Sequence, residues 1–369
     1  MYVFLIYVIL VVIVFRFIYI HAKYPFWSHM PMHHTYSIVK FIQPYPMRHK
    51  YTNPLLIKTI PFNDLNDTYL KYFVELLQIG YIKNDTILYT MQQKNMRAYM
   101  TGHNGPALVS FYCNPIYKSI HNGPAVQVDL EPEPIGCIAS YPVTLRINNT
   151  TSVPLNYITF YSAKQEKVLH ELIATHDYNA RKTLFSNASL IKVASSVNTG
   201  SKPLLQFTTK TYQIPRFLFK VKEIVQIYKQ NWAFALDLLN YATIKIDVGA
   251  IRARIDAEEW FVYAFVQRGE PMALYFIENA HMLYETNNAK TLRLVASINN
   301  GLTMDKFNAG FQDCIRRIVK SNLDYKLVTL DCVGDNATIV LGQPIEQTAN
   351  AYYLINYNMD ELSHAIVVI

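Results

Sequence analysis

The sequence predicts a mixed α/β protein: two tandem halves that repeat one order of elements, preceded by a single transmembrane helix. Three observations carry this. The run from Tyr2 to Ile20 is apolar except at Arg16, stripes of helical period alternate with short β-rich runs after it, and the order helix, strands, helix, strand occurs twice.

The stretch 2–20 is read as an anchor because about 30 Å, the thickness of a bilayer's hydrocarbon core, is what this many residues cover at about 1.5 Å each. A signal peptide fits less well: no basic stretch precedes the apolar core, and His21, Lys23 and Tyr24 follow where small residues would mark a cleavage site. Arg16 stands near the helix end, where its stem can snorkel to the interface. With Lys23 and Arg48 it places the body on the cytosolic side of a single-pass protein. Six Asn-x-Ser/Thr sequons, at Asn66, Asn84, Asn148, Asn149, Asn187 and Asn336, argue for a luminal or virion-surface body, although an Asn- and Thr-rich chain produces such triplets by chance.

Residues 21–60 are rich in Pro, His and Tyr, and Pro25, Pro31, Pro44, Pro46 and Pro54 forbid a long helix, so this segment is expected to be an extended arm. The first half, 61–215, opens with an N-cap at Asn66 and a stripe of Tyr69, Leu70, Phe73, Val74 and Leu77 that stops near Gly80. Strands follow at 107–113, 135–147 and 155–161, then a helical stripe at Val168, Leu169, Leu172 and Ile173, then a strand at 190–197. The second half, 216–369, is expected to repeat this with a helix at 222–241, strands at 260–266, 272–277 and 292–298, a helix at 305–320, and strands at 326–332 and 351–357.

Composition narrows the function. An excess of 34 Lys and Arg over 27 Asp and Glu, a net +7, suits an anionic ligand or a membrane surface but is too modest and scattered for nucleic acid. Cys113, Cys137, Cys314 and Cys332 form no Cys-x-x-Cys pair, and His29, His33 and His34 sit on an arm where histidines are usually solvated, so neither a disulfide scaffold nor a metal is expected. The chain has no Gly-x-Ser-x-Gly, Walker or dinucleotide fingerprint.

Seven short segments lie in a telling order. Phe26-Trp27-Ser28-His29-Met30-Pro31-Met32 is similar to a Phe-Trp-x-Thr-Gln-Pro-Val arm; Leu76-Leu77 and Tyr81-Ile82-Lys83-Asn84-Asp85 follow; Ile135 to Pro142 is similar to a Val-Gly-Phe-Ile-Ser-Ala-Ile-Pro strand. Leu155-Asn156-Tyr157-Ile158-Thr159-Phe160 sits at the place of an Ile-Asn-Phe-Leu-Cys-Val strand, Tyr352 to Asn358 is similar to Tyr-Tyr-Leu-Tyr-Asn-Trp, and the end at Val367-Val368-Ile369 is apolar. Over roughly residues 25–369 the chain thus resembles the glycylpeptide N-tetradecanoyltransferases, the N-myristoyltransferases, as a divergent member.

The resemblance implies two acetyltransferase-like halves related by a pseudo-twofold, the first binding acyl-CoA and the second completing a peptide groove. It implies transfer of a myristoyl group from myristoyl-CoA, a co-substrate rather than a resident cofactor, to the N-terminal glycine of a peptide or protein at the membrane. The oxyanion donors map to the backbone N–H groups of Tyr157 and Ile158, the base to the terminal carboxylate at Ile369, and a group holding the glycine amine to Asn156. Phe26, Trp27, Ser162, Lys164, Lys167 and Val168 map to the CoA side, and Asn198, Thr199 and Tyr275 to the peptide side. The family's basic phosphate loop is depleted here: between Tyr161 and Val168 only Lys164 and Lys167 remain, and Glu166 opposes them. The family's Tyr-Trp-His-Arg is replaced by Thr211-Tyr212-Gln213-Ile214. The alternative is therefore a catalytically inactive binding or structural membrane protein of the same fold.

Overall fold

The computed structural model describes the backbone of residues 2–35, 42–82, 86–122, 125–147, 151–183, 186–284 and 288–369. In chain order the elements are α1 (Tyr2–Lys23), β1 (Ile57–Pro61), α2 (Asp67–Gly80), β2 (Ile87–Tyr89), α3 (Gln93–Met100), β3 (Leu108–Asn122), β4 (Ala125–Arg146), β5 (Ser152–Ala163), α4 (Glu166–Lys182) and β6 (Ser189–Ala194). There follow β7 (Leu205–Gln213), β8 (Ile224–Ile227), α5 (Ala233–Leu239), β9 (Ile244–Lys245), α6 (Val248–Asp256), β10 (Trp260–Gln267), β11 (Glu270–Tyr284) and β12 (Ala289–Asn299). The last are α7 (Met304–Ser321), β13 (Tyr325–Asp331), β14 (Glu346–Ile355) and β15 (Val367–Val368).

The duplication is plain in the pairing. In the first half β3, β4 and β5 are antiparallel, and α4 crosses over to bring β6 parallel to β5. In the second, β10, β11 and β12 are antiparallel, and α7 brings β13 parallel to β12. A parallel partner requires such a crossover, and each helix covers the sheet with a stripe of period near 3.6, in α7 Phe307, Phe311, Cys314, Ile315 and Ile318. The halves then exchange strands: β14 pairs with β6, β7 pairs with β13, and β7 and β14 pair antiparallel with each other. An antiparallel pair has a local twofold across it, so this is where two related halves fuse into one sheet.

One expected element is corrected. The helix predicted over 222–241 is instead β8, a short 3-10 turn and the seven-residue α5. Ile224, Val225 and Ile227 are β-branched and add to the edge of β10, and the Asn231 side chain accepts from Tyr228 N–H at 2.6 Å, ending the strand. The N-cap at Asn66 is as expected, accepting from Tyr69 N–H at 2.8 Å.

α1 is long and apolar enough to cross a bilayer. Its side chains from Phe4 to Tyr19 are largely exposed, whereas Ile20, Tyr24, Phe26, Trp27, Met30 and Met32 are buried against α4 and the first half of the sheet. Tyr24 to Met32 of the arm are thus docked on the body. Of the sequons, Asn336 is buried and bonded to Ser297, Asn66 is the helix cap and Asn187 donates to the Gln43 and Pro44 carbonyls; Asn84, Asn148 and Asn149 lie outside the described residues.

Candidate active site

β5 and β6 are in register only at Asn156–Ser189, Tyr157–Leu190 and Ile158–Ile191. Beyond Ile158 they part. β6 stays with β14, while β5 carries a bulge against β4, where Ala139 faces Thr159 but Cys137 faces Ser162. Phe160, at φ 50°, takes the left-handed conformation that such a bulge demands, bending the strand away. A cavity of about 330 Å³ opens here, walled by Tyr157 to Tyr161 of β5, Lys192 and Ala194 of β6, Tyr81 and Ile82 after α2, and Glu278 to Met282 of β11.

Ile369 lines the same cavity. Its approach is fixed by backbone bonding: β15 runs parallel to β9, β9 is antiparallel to β4, and Ile246 N–H donates to the Val368 carbonyl at 3.0 Å. Every residue from Ala365 to Ile369 is buried, which keeps this tail in the core.

Charged side chains reach the cavity from strand interiors. Lys192 donates to both Asp331 oxygens at 3.0 and 2.8 Å, and Arg293 lies 3.3 Å from Glu278. Glu278 also accepts from the Tyr99 hydroxyl at 3.0 Å and Trp260 Nε1 at 2.8 Å. Burial pushes the Asp331 carboxyl up, but Lys192 and then Arg293 outweigh it and hold it below the usual range. Burial works against the Arg293 charge, yet Glu278 and Asp331 raise its pKa further. For Lys192 desolvation wins over Asp331, and its pKa falls. Arg254 is fully buried, with its guanidinium 4.7, 5.1 and 4.8 Å from the rings of Tyr99, Tyr141 and Trp260. The helix that carries it, α6, sits close to the turn after α3 because Gly102, at φ +78°, and Gly249 meet backbone to backbone.

Of the residues singled out in the sequence, Tyr157, Ile158 and Ile369 are brought together at the cavity. Asn156 is buried one residue away, its N–H on the Ala188 carbonyl and its amide 3.5 Å from the Ser186 carbonyl. Ser162, Lys164, Lys167 and Val168 lie where β5 turns into α4, beside the arm: Phe26 stacks on His170 at 4.0 Å, and Trp27 and Val168 share a core cluster. The Ser162 hydroxyl is spent on the Leu76 carbonyl at 2.7 Å, and Lys167 pairs with Glu171 at 3.9 Å. Asn198 and Thr199 form a turn near the arm, accepting from the N–H groups of Gly200 and Ser201. Tyr275 is not brought to the cavity; its hydroxyl donates to the Phe307 carbonyl at 2.8 Å beneath α7.

Sequence reasoning missed Lys192, Arg254, Glu278, Arg293 and Asp331. A signal existed for Lys192 and Arg293, each a charge between apolar neighbours within a strand, in Leu190-Ile191-Lys192-Val193 and Leu292-Arg293-Leu294. A buried charge is expensive unless paired, so such a residue marks either a partner or a site.

Three histidines make the fold acid-sensitive. Burial lowers His176 to about 3, with its Nδ1 2.8 Å from Ser110 Oγ; burial and then Arg254 lower His103 to about 4; and burial, then His29, lower His49 to about 4. Each is neutral in the fold and titrates near 6.5 when unfolded, so its stabilisation is full above 6.5 and is lost as pH falls toward 4 and 3. Melting temperatures measured by circular dichroism should therefore fall from pH 6.5 to pH 4. A flat profile would contradict the burial.

No family model matches the sequence, and no curated protein does. The fold does match solved structures. A crystal structure of Saccharomyces cerevisiae N-myristoyltransferase with bound myristoyl-CoA aligns with TM-score 0.67 and 12% identity over 91% of this chain and 93% of that one. Another structure of the yeast enzyme with myristoyl-CoA gives 0.66 and 12% over 92% and 89%, and one with myristoyl-CoA and inhibitors gives 0.66 and 12% over 92% and 91%. The chain has the fold of these N-myristoyltransferase structures.

Proposed function

We propose that this chain is a membrane-anchored N-acyltransferase that moves a myristoyl-type acyl group from acyl-CoA to an N-terminal glycine amine. The observation that carries the reading is the meeting of Tyr157, Ile158 and the buried Ile369 at a cavity opened by the divergence of β5 and β6. The base in this reading is Ile369. Its carboxylate removes a proton from the glycine ammonium, and the neutral amine attacks the thioester carbonyl. The oxyanion is received beside Tyr157 and Ile158, where β5 leaves β6; the C–N bond forms as the C–S bond breaks, and CoA leaves as a thiolate that takes the second amine proton. On the CoA side, the N–H groups in the first turn of α4 meet the phosphates with Lys164 and Lys167, beside Phe26 and Trp27. The anchor would hold the enzyme where both the lipid-bearing donor and the lipidated product concentrate.

One feature favours a second reading, a binding protein of this fold without turnover. Glu166 stands in the first turn of α4, and Lys167 is drawn to Glu171, so the phosphate site is poor in charge. Incubating the full chain in detergent with myristoyl-CoA and a glycine-initiated peptide is expected to release CoA thiol and produce the N-acylated peptide in equal amounts. Saturable acyl-CoA binding without product would leave only the second reading, and neither binding nor product would remove both.

A further inference from the structure

Pro215 to Lys222 joins β7 to β8 and displays two phenyl rings to solvent: Phe217 is 92% exposed and Phe219 is 63% exposed. The surroundings are basic. A concavity of about 530 Å³ beside Phe217 is lined by Arg216, Arg316, Lys320 and Lys326, and a neighbouring one of about 300 Å³ carries Lys220, Lys222 and Lys306 with the single carboxylate Glu223. Arg316 is held by the buried Asp313, whereas Arg216, Lys220, Lys222, Lys306 and Lys320 have no carboxylate within ion-pair distance among the described residues.

We propose that this loop docks on a bilayer rich in acidic phospholipid, Phe217 and Phe219 entering the interface while the surrounding cations meet the headgroups. Three features select this occupant. The rings project from the surface with no apolar pocket of their own, which suits the boundary between headgroups and acyl chains. The predominance of positive charge around them complements an anionic membrane surface. And α1, apolar over bilayer length, would bring the body to the same membrane as the proposed anchor, on which this third point rests.

The placement of the loop adds a geometric consequence. The base of α1 touches the segment before β7, where the Tyr24 ring packs against Gly200, while the loop leaves the far end of this nine-residue strand, itself about 30 Å long at ~3.3 Å per residue. Contact at both ends lays β7 along the bilayer, so the chain is held at two points instead of swinging on one helix. This inference does not depend on acyl transfer.

The native tryptophans Trp27, Trp232 and Trp260 are all buried, so Phe217→Trp adds one exposed reporter without touching the core. The full-length variant would be placed in nanodiscs of brominated phosphatidylcholine, with and without phosphatidylserine. The expected result is a blue shift and additional quenching relative to the parent chain only where phosphatidylserine is present. That gain should be lost in the Lys220→Glu, Lys222→Glu background and in about 1 M salt, where screening acts within ~3 Å. An added tryptophan that stays solvent-like in phosphatidylserine discs overturns the proposal, whether or not the patch binds another polyanion. Equal quenching in neutral discs overturns it too, because charge would then have no part in docking.

Discussion

Appending one residue to Ile369 is expected to lower kcat by about 10²–10⁴-fold, the range a positioned general base contributes, while leaving acyl-CoA binding unchanged. The expectation follows from the proposed role of the Ile369 carboxylate and from how tightly its position is held. Val367 and Val368 are paired to Ile244 and Lys245, and Ile366 N–H reaches Thr243 Oγ1 at 3.2 Å, so an added residue cannot be absorbed by sliding the tail. It would instead carry the carboxylate onward by about 3.3–3.6 Å, beyond hydrogen-bond reach of an amine that had been in contact. In water a terminal carboxylate near 3.5 is a weak base for an ammonium near 8, so the step relies on the surroundings of the carboxylate as well as its position. Comparing single-turnover rates and acyl-CoA affinity for the parent and extended chains separates loss of the base from loss of the fold. Unchanged turnover in the extended chain would sink the assignment.

Replacing Asp177 by Ala should cost about 3–5 kcal/mol of stability, the usual penalty for stranding one member of a buried ion pair. Asp177 and Arg181 sit one turn apart on α4 with both side chains about 1% exposed, and Arg181 Nε donates to Asp177 at 2.9 Å. Asp177 also accepts from Ser189 Oγ at 2.7 Å, and both terminal nitrogens of Arg181 reach Gln43 Oε1 at 3.2 Å. The network therefore ties α4 to the arm and to the start of β6, where Ser189 faces Asn156. Denaturant titration should show a lower midpoint, and the double change to Asp177→Ala, Arg181→Met should recover part of the loss by removing the stranded charge. A single variant as stable as the parent would mean that the pair is open to water.

The apolar run became α1, and the stripes of α2, α4 and α7 and most strands lie where periodicity puts them. α1 is apolar all round, but α2 and α7 each bury one face, so a period of 3.6 is written into the residues themselves. The stretch 222–241 failed that test because its apolar residues fit either period, and pairing with β10 decided between them. The cavity was legible only in part. The strand and tail at its wall were singled out through family resemblance, whereas Lys192, Arg254, Glu278, Arg293 and Asp331 converge from strands and a helix far apart in sequence.

The residues alone determine the apolar α1, the alternation of helices and strands and the duplicated order, since each follows from patterns a few residues long. The tertiary structure decides the exchange of β7 and β14 between halves, the parting of β5 from β6 at a bulge, and the arrival of Ile369 at that opening. Those features depend on backbone pairing between distant segments, and hydrogen-bonded backbone carries no side-chain signature that a linear sequence could display.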